Sequence, residues 1–212
     1  MRGRFITFEG TEGCGKTTQI RMAGEFLRAQ GIPVLVTEEP GGTVLGAELR
    51  NILLNRAAFD LCREAELFLF LADRTQHVRE VIRPALREGT WVLCDRFSDA
   101  TIAYQGFGRG MDPDFVRRMC DMSSDGLKPD RTLLFDLPVD VGLRRALDRA
   151  SRAGTAPAED RFEREALSFH ERVREGYLSL ARKEPERFRI IDGGKAVVDI
   201  HREVTLHLSV KS

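Results

Sequence analysis

The sequence lacks the features that mark several large classes of protein. None of its apolar runs approaches the ~20 uncharged residues that a membrane-spanning helix needs. Acidic and basic residues are balanced at 33 each, so the composition supplies no net charge to attract nucleic acid. Four cysteines are widely spaced without a C-x-x-C pair, which argues against a zinc site and against a disulfide framework. The N-terminal residues have no secretory leader pattern, and we therefore expect a cytoplasmic protein.

The length and the order of apolar segments indicate one α/β domain. A chain of 212 residues with 42% hydrophobic and 31% charged residues suits a single core, and we assign residues 1–212 to one domain. Short apolar segments alternate with longer helical ones, which is typical of a parallel sheet covered by helices on both faces. The predicted strands are Arg4–Glu9, Pro33–Thr37, Thr90–Cys94, Arg131–Phe135 and Phe188–Ile191. The predicted helices are Lys16–Gln30, Arg63–Glu88, Pro113–Met122, Val139–Arg149, Arg161–Arg182 and Val197–Leu208.

Two segments carry more specific expectations. The run Leu67–Ala72 is apolar all round, so we expect it to be buried on more than one side, by the core alone or by the core and a partner subunit. Pro84 is expected to kink or restart the same helix. Small residues and proline crowd into Ala150–Asp160, which predicts a mobile loop.

The strongest functional signal is the segment Gly10–Thr17, which reads G-x-x-x-x-G-K-T between a predicted strand and a predicted helix. A glycine-rich turn of this kind, a P-loop, converges backbone N–H groups on phosphate, and the helix N-terminus adds a favourable dipole. Lys16 is placed to reach the β- and γ-phosphates, and the Thr17 hydroxyl is placed to hold Mg²⁺. The residues predicted to bind ATP are Gly10, Thr11, Glu12, Gly13, Cys14, Gly15, Lys16, Thr17 and Thr18.

A P-loop alone does not separate GTPases, ATPases and kinases. Guanine recognition usually requires an Asn-Lys-x-Asp segment. The chain has two asparagines, Asn51 and Asn55, and neither precedes a lysine. A GTPase of the usual type is therefore disfavoured.

Further motifs make the chain similar to the bacterial thymidylate kinases. They are Glu39-Pro40-Gly41-Gly42-Thr43, Asp95-Arg96-Phe97, Ala103-Tyr104-Gln105-Gly106 and Arg109-Gly110. The resemblance runs from about Phe5 to Asp192. It implies a P-loop nucleoside-monophosphate kinase fold with a five-stranded parallel sheet, a lid at about residues 149–161, a homodimer, and transfer of phosphate from ATP to dTMP for dTTP synthesis.

The resemblance also implies which residues bind dTMP. Arg96 would hold the acceptor phosphate, at a strand end that opens into the crevice of an α/β sheet. The alternative for Arg96 is a surface ion pair with Asp95. Tyr104 would crowd the 2′ position of the sugar, and its alternative is a helix-surface tyrosine. The residues expected to bind dTMP are Glu12, Glu39, Pro40, Phe70, Arg74, Arg96, Thr101, Tyr104 and Gln105.

The implied catalytic groups are cations, because the reaction brings two polyanions together. With Glu12 rather than arginine in the P-loop, the resemblance indicates the type of thymidylate kinase that carries its catalytic arginine on the lid. We therefore expect Lys16, Arg96, Arg149 and Arg161 to be catalytic, and Thr17 and Asp95 to hold Mg²⁺ as the cofactor. Two residues depart from the family pattern: Glu38 replaces a usual arginine and Ala100 a frequent serine.

Two alternatives stay open from sequence. One is a P-loop kinase of another small acceptor, in which Phe70, Arg74 and Gln105 would have no reason to occur together. The other is a binding module that ATP orders for a protein partner, with no phosphate transfer of its own.

Overall fold

The chain forms one five-stranded parallel sheet with helices on both faces. The computed structural model describes residues 3–54, 60–153, 162 and 165–209, with the side chains of residues 150–153 left aside. The strands are β1 (Phe5–Glu9), β2 (Val34–Glu38), β3 (Trp91–Asp95), β4 (Arg131–Asp136) and β5 (Phe188–Asp192). Their order across the sheet is β2-β3-β1-β4-β5. The predicted α/β fold class and all five predicted strands are confirmed, and each observed strand overlaps its predicted segment.

Helices surround this sheet along the whole described chain. Their bounds are α1 (Lys16–Ala29), α2 (Val44–Leu54), α3 (Arg63–His77), α4 (Arg83–Arg87), α5 (Ser98–Thr101), α6 (Pro113–Ser123), α7 (Val139–Ala153), α8 (Leu167–Lys183) and α9 (Val197–Leu208). A π-helical turn, Val78–Ile82, joins α3 to α4, and a second one, Ile102–Gly108, continues α5. Among the described helices, none is long and apolar enough to cross a membrane.

The two sides of each inner strand face different helices. Ile6 and Phe8 of β1 belong to a hydrophobic cluster with residues of α1 and α9. Phe5 points to the other side, into a cluster with Val78 and Ile82. Because side chains alternate along a strand, Glu9 shares the face of Phe5, where α8 also packs. This alternation places the acidic residue Glu9 in the interior, directly before the P-loop.

Several helix predictions differ from the structure. Helix α2 was not predicted; it begins after Thr43, whose hydroxyl accepts a hydrogen bond from the backbone N–H of Gly46. The predicted start of α8 at Arg161 is wrong, because Ala166 has an extended backbone with ψ of 149° and the helix begins only at Leu167. Helix α7 continues to Ala153 and so enters the segment predicted as a loop. Residues 154–160 of that segment lie outside the described residues.

The long apolar helix is less enclosed than its sequence suggested. Leu67 and Leu71 of α3 are buried, but Phe68 is 55% exposed. The core of a single chain therefore covers one side of the run Leu67–Ala72. Pro84 lies in the first turn of α4, directly after the π-helical turn, which agrees with the expected restart of the helix.

Candidate functional site

The P-loop joins β1 to α1 and depends on its glycines. Gly10, Gly13 and Gly15 have φ angles of 139°, 66° and 97°, which residues with a side chain rarely adopt. A Cβ atom at Gly13 would lie 2.0 Å from the carbonyl oxygen of Gly142, so the loop also packs closely on α7. The Nζ atom of Lys16 donates to the carbonyl oxygens of Gly10 and Thr11, each at 2.9 Å. The lysine charge thus lies against the loop backbone.

Two oxygen-bearing side chains meet beside the P-loop. Thr17, in the first turn of α1, donates from its hydroxyl to Oδ2 of Asp95 at 3.3 Å. Asp95 is the last residue of β3. Because β3 pairs in parallel with β1, it ends beside the P-loop, and this brings Asp95 close to Thr17. Hydroxyl and carboxylate oxygens suit Mg²⁺, which keeps several waters when it binds next to nucleotide phosphates. The two predicted metal ligands therefore occupy a place that fits the ion.

Arg96 begins the turn after β3 in a left-handed backbone conformation, with φ of 66°. Its NH1 group donates to the carbonyl oxygen of Gly10 at 3.0 Å, and NH2 donates to Oε1 of Glu12 at 3.1 Å. The guanidinium carbon also lies 4.8 Å from the centre of the Tyr104 ring. Arg96 therefore points inward to the P-loop. Its ion pair is with Glu12, and not with Asp95 at the surface as the alternative proposed.

Glu12 is a buried carboxylate surrounded by hydrogen-bond donors. Its Oε1 atom accepts from Arg96 and from the Tyr104 hydroxyl, and Oε2 lies 3.1 Å from Nδ1 of His170. Burial would raise the pKa of Glu12, but the His170 hydrogen bond, the charges of Arg96 and Lys16, and the Tyr104 hydroxyl together lower it to about 2. An ionised carboxylate only accepts hydrogen bonds, so Nδ1 of His170 carries the proton of this contact.

A second buried ion pair supports the residues expected to contact the base. Arg74 is 1% exposed; its Nε donates to Oε2 of Glu39 at 2.9 Å and its NH2 donates to Oγ1 of Thr101 at 2.9 Å. Oε1 of Glu39 lies 2.9 Å from Nδ1 of His77. Glu39 also precedes a cis peptide bond to Pro40. The motif after β2 is thus attached to α3 by two contacts through one carboxylate.

Tyr104 and Gln105 lie in the π-helical turn after α5, and both are buried. Tyr104 is 6% exposed, so the alternative of a helix-surface tyrosine is excluded for this chain. The Gln105 amide donates from Nε2 to Oε1 of Glu66 at 2.9 Å. This contact fixes the amide orientation, because Glu66 is itself held by Arg109.

These residues share one cavity of about 330 Å³. All nine residues expected to bind dTMP line it, together with Asp95, Arg149 and the P-loop from Glu12 to Thr18. Gly10 and Thr11 lie behind its wall and contribute backbone oxygens to Lys16. Phe70 is half-buried at the wall, and its ring centre lies 6.2 Å from that of Phe162. Arg161 lies outside the described residues.

The structure adds residues to this site that the sequence did not single out. They are Arg50, Leu54 and Phe162, which line the cavity beside Phe97 of the Asp95-Arg96-Phe97 motif and beside Glu38 and Ala100, the two positions that depart from the family pattern. Arg50 of α2 donates to Oε2 of Glu38 at 3.1 Å. Glu38, which replaces the usual arginine of the family pattern, therefore forms an ion pair with α2. Thr43 and the periodicity of Val44–Leu54 were the signal that could have placed Arg50 near the site.

Three buried polar residues behind the cavity were also missed. Glu9 accepts hydrogen bonds from the Phe97 backbone N–H and from the Tyr177 hydroxyl. Burial, and next the charge of Asp99, raise the pKa of Glu9 to about 8. His170 and Tyr177 stand on α8 and had no motif to mark them. An acidic residue at the end of a strand that is apolar except for Thr7 was a usable signal for Glu9.

Comparison with known proteins agrees with this geometry. A sequence model of the family "Thymidylate kinase" matches residues 8–204. The chain is 58% identical over 206 residues to a thymidylate kinase of Syntrophus aciditrophicus (strain SB), covering 97% of this chain and 94% of that protein. It is 55% identical over 196 residues to a thymidylate kinase of Desulfovibrio desulfuricans (strain ATCC 27774), covering 92% and 90%.

A solved structure leads to the same result. The crystal structure of thymidylate kinase from Ehrlichia chaffeensis superposes with a TM-score of 0.77 at 34% identity, covering 99% of this chain and 100% of that one. The family model, the relatives and the solved structure each span nearly the whole chain. The chain therefore belongs to the thymidylate kinase family.

Proposed function

We propose that this chain transfers the γ-phosphate of ATP to the phosphate of dTMP, giving dTDP for dTTP synthesis. The observation that carries the proposal is the shared cavity, whose walls include both the P-loop and all nine residues expected to bind dTMP. Its relatives carry the same activity in their names. Donor and acceptor phosphates held in one cavity can react in line without leaving the protein.

The P-loop is the proposed donor site. Its backbone N–H groups, the N-terminus of α1 and Lys16 would surround the β- and γ-phosphates of ATP. Thr17 and Asp95 would hold Mg²⁺, which when bound neutralises charge on the phosphate oxygens. The turn after β5 packs on the loop, because a Cβ atom at Gly193 would lie 3.1 Å from the Cys14 carbonyl oxygen. We propose that the adenine of ATP binds at this turn.

The proposed acceptor site occupies the other end of the cavity. Arg96 would hold the dTMP phosphate, Glu12 would face the sugar, and Tyr104 would exclude a 2′-hydroxyl by its bulk. Phe70 would stack on thymine, and Arg74, Thr101 and Gln105 would meet its polar edge. The contact of Gln105 with Glu66 and that of Arg74 with Glu39 and Thr101 support this assignment, because they hold the side chains in one orientation before the base arrives.

The reaction needs positioning and charge neutralisation more than proton removal. The second pKa of a phosphate monoester is near ~6, so the acceptor oxygen is largely ionised at neutral pH and no general base is required. Lys16 and Arg96 would stabilise charge on the transferred group, assisted by Arg149 at the cavity wall. Arg161 is proposed as the second lid cation on the resemblance alone.

Turnover with a panel of acceptors tests the proposal. With ATP and Mg²⁺, purified protein should phosphorylate dTMP in preference to dUMP, dCMP, AMP and GMP in a coupled assay. Lys16→Ala should abolish transfer. Lys128→Ala should leave it unchanged, because Lys128 is exposed and precedes the start of β4, at the edge of the sheet opposite the P-loop. Turnover with only one of the other acceptors would replace the substrate assignment.

Calorimetry with dTMP alone separates the enzyme from an ATP-gated binding module. The acceptor site described here should bind dTMP without ATP, whereas a module that senses only ATP has no reason to do so. Heat of binding absent for dTMP but present for ATP would favour the module.

A homodimer is proposed from exposed apolar surface on two helices that pack against each other. Phe68 of α3 is 55% exposed, and Phe115 and Met122 of α6 are 39% and 68% exposed. Covering them would remove apolar area from water, as large interfaces do. Light scattering should report twice the chain mass for the native protein and a smaller mass for Phe68→Asp, with Leu206→Asp on α9 as the exposed control.

Two further assignments stay predictions. The whole chain, residues 1–212, is assigned to one domain with a lid near residues 149–161. A cytoplasmic location is supported by four unpaired cysteines, which are usual where thiols stay reduced.

A further inference from the structure

Helix α8 presents two buried polar side chains to the residues around Arg96. His170 and Tyr177 are seven residues apart, so they lie on the same side of the helix, two turns from each other. Both are almost fully enclosed, at 0% and 1% exposure. Polar groups in such positions are costly unless they are hydrogen-bonded, so their partners carry information about why they are there.

Tyr177 links the guanidinium of Arg96 to the strand before the P-loop. The Tyr177 hydroxyl accepts from NH1 of Arg96 at 3.3 Å and donates to Oε2 of Glu9 at 2.8 Å. The other oxygen of Glu9 accepts from the backbone N–H of Phe97 at 2.7 Å. The chain of contacts therefore starts at the Arg96 side chain and returns to the residue that follows Arg96.

These hydrogen bonds hold Arg96 in an unfavourable backbone conformation. Arg96 has φ of 66°, a conformation that is unfavourable for a residue with a long side chain and that persists only when neighbouring contacts hold it. The hydrogen bond from Phe97 to Glu9 holds the backbone on one side. The hydrogen bond from Arg96 to Tyr177 holds the tip of the side chain on the other.

His170 acts on the second nitrogen of the same guanidinium through a carboxylate. Its Nδ1 lies 3.1 Å from Oε2 of Glu12, and Oε1 of Glu12 accepts from NH2 of Arg96 at 3.1 Å. NH1 of Arg96 is thus held by Tyr177 and by the Gly10 carbonyl oxygen, and NH2 by Glu12. Contacts on both nitrogens fix the position and the plane of the guanidinium group.

We propose that Tyr177 and His170 are positioning residues for the acceptor phosphate, which keep the Arg96 guanidinium aimed into the cavity before dTMP binds. The inference rests on the proposed role of Arg96. A free arginine has many rotamers, and holding it in advance removes an entropic cost from binding. Neither positioning residue lines the cavity, so both would act through Arg96 and Glu12 rather than on the ligand.

The test compares dTMP with thymidine, which has the same base and sugar and no phosphate. Tyr177→Phe removes one hydroxyl and keeps the ring and its edge contact with Tyr104. Calorimetry should show that dTMP binds about tenfold more weakly to this variant, the loss expected for a hydrogen bond to a charged group, while thymidine binding stays within about twofold. The KM for ATP should not change.

His170 offers a matched pair of variants. His170→Asn places an amide N–H near the position of Nδ1, and His170→Leu removes the donor. We expect dTMP affinity to fall several-fold in His170→Leu and to be largely retained in His170→Asn, with thymidine binding unchanged in both. His207→Asn, on α9 away from the cavity, is the control and should leave both ligands unaffected.

The outcomes separate this inference from the function on which it rests. Wild-type protein that binds dTMP no better than thymidine overturns the role of Arg96, and the positioning role with it. The positioning role alone is overturned if the wild-type protein prefers dTMP but Tyr177→Phe does not weaken dTMP binding selectively. That result would be an equal loss of affinity for dTMP and thymidine, or no loss for either. If Tyr177→Phe unfolds, the His170 pair decides, and equal dTMP affinities of Asn and Leu variants reject the inference.

Discussion

Replacing Glu12 by glutamine should destabilise the protein in a manner that depends on pH. Glutamine keeps the shape of the side chain and removes its charge. In the native chain Oε1 of Glu12 accepts from Arg96 and Tyr104, and Oε2 lies against Nδ1–H of His170. A glutamine amide has only one oxygen, so its NH₂ group must face at least one of these donors.

The magnitude follows from the pKa of the carboxyl. The pKa of Glu12 falls from 4.5 to about 2 in the folded chain, which corresponds to about 3 kcal/mol of stability above pH 4.5. Because the folded-state pKa is lowered, this stability is present above the unfolded pKa and is lost as the pH falls through the folded one. The free-energy difference between native protein and Glu12→Gln should therefore shrink by about 2 kcal/mol from pH 6 to pH 3.

Urea unfolding followed by circular dichroism at several pH values measures this difference. Glu25→Gln is the control, because Glu25 forms an exposed ion pair with Arg21. Losing this ion pair should change the free energy of unfolding by less than about 1 kcal/mol at every pH. A difference between native protein and Glu12→Gln that stays constant from pH 6 to pH 3 would show that the buried donors do not lower the pKa of this carboxyl, and the reasoning would be refuted.

Three further substitutions test other contacts in the site and in the fold around it. Gly42→Ala should lower stability by about 1–3 kcal/mol in thermal unfolding, because the added Cβ would lie 2.3 Å from Nε2 of His77; an unchanged Tm would mean that the imidazole can move aside. Thr17→Val should raise the Mg²⁺ concentration needed for half-maximal rate while dTMP affinity stays constant, and an unaltered Mg²⁺ titration would remove the hydroxyl from the metal site. Arg187→Gln should cost about 3–5 kcal/mol in urea unfolding, because it leaves the buried Asp99 carboxylate without the cation that binds both of its oxygens; a loss below about 1 kcal/mol would contradict this.

The core of the fold was predictable because it depends on local patterns. Each strand is a short apolar run between charged or turn residues, and the P-loop is marked by glycines that its backbone requires. The residues expected to bind dTMP were found through a family resemblance. Spacing alone would not have chosen Phe70 over Phe68, and the structure separates them by placing Phe70 at the cavity wall while Phe68 is 55% exposed.

The two missed helix starts depend on a single hydrogen bond and on a single backbone conformation. Helix α2 follows a glycine-rich turn that reads as a loop, and its start is set by the Thr43 hydroxyl. The start of α8 depends on the extended backbone at Ala166, which interrupts a sequence with helical character. Hydrophobic periodicity marks the body of each helix but not the residue at which the helix starts, because one side-chain hydrogen bond or one backbone angle decides that residue.

The sequence by itself determined the five strands and their order along the chain, the phosphate-binding loop and the position of Arg96 as a cation at a strand end. These follow from periodicity and from the conformational freedom of glycine, which are properties of neighbouring residues. Only the tertiary structure decided that Arg96 pairs with Glu12, and that Glu9, His170 and Tyr177 surround the pair. Glu12 and His170 are 158 positions apart in the chain, and no local pattern can report a contact that forms only when α8 packs against the sheet.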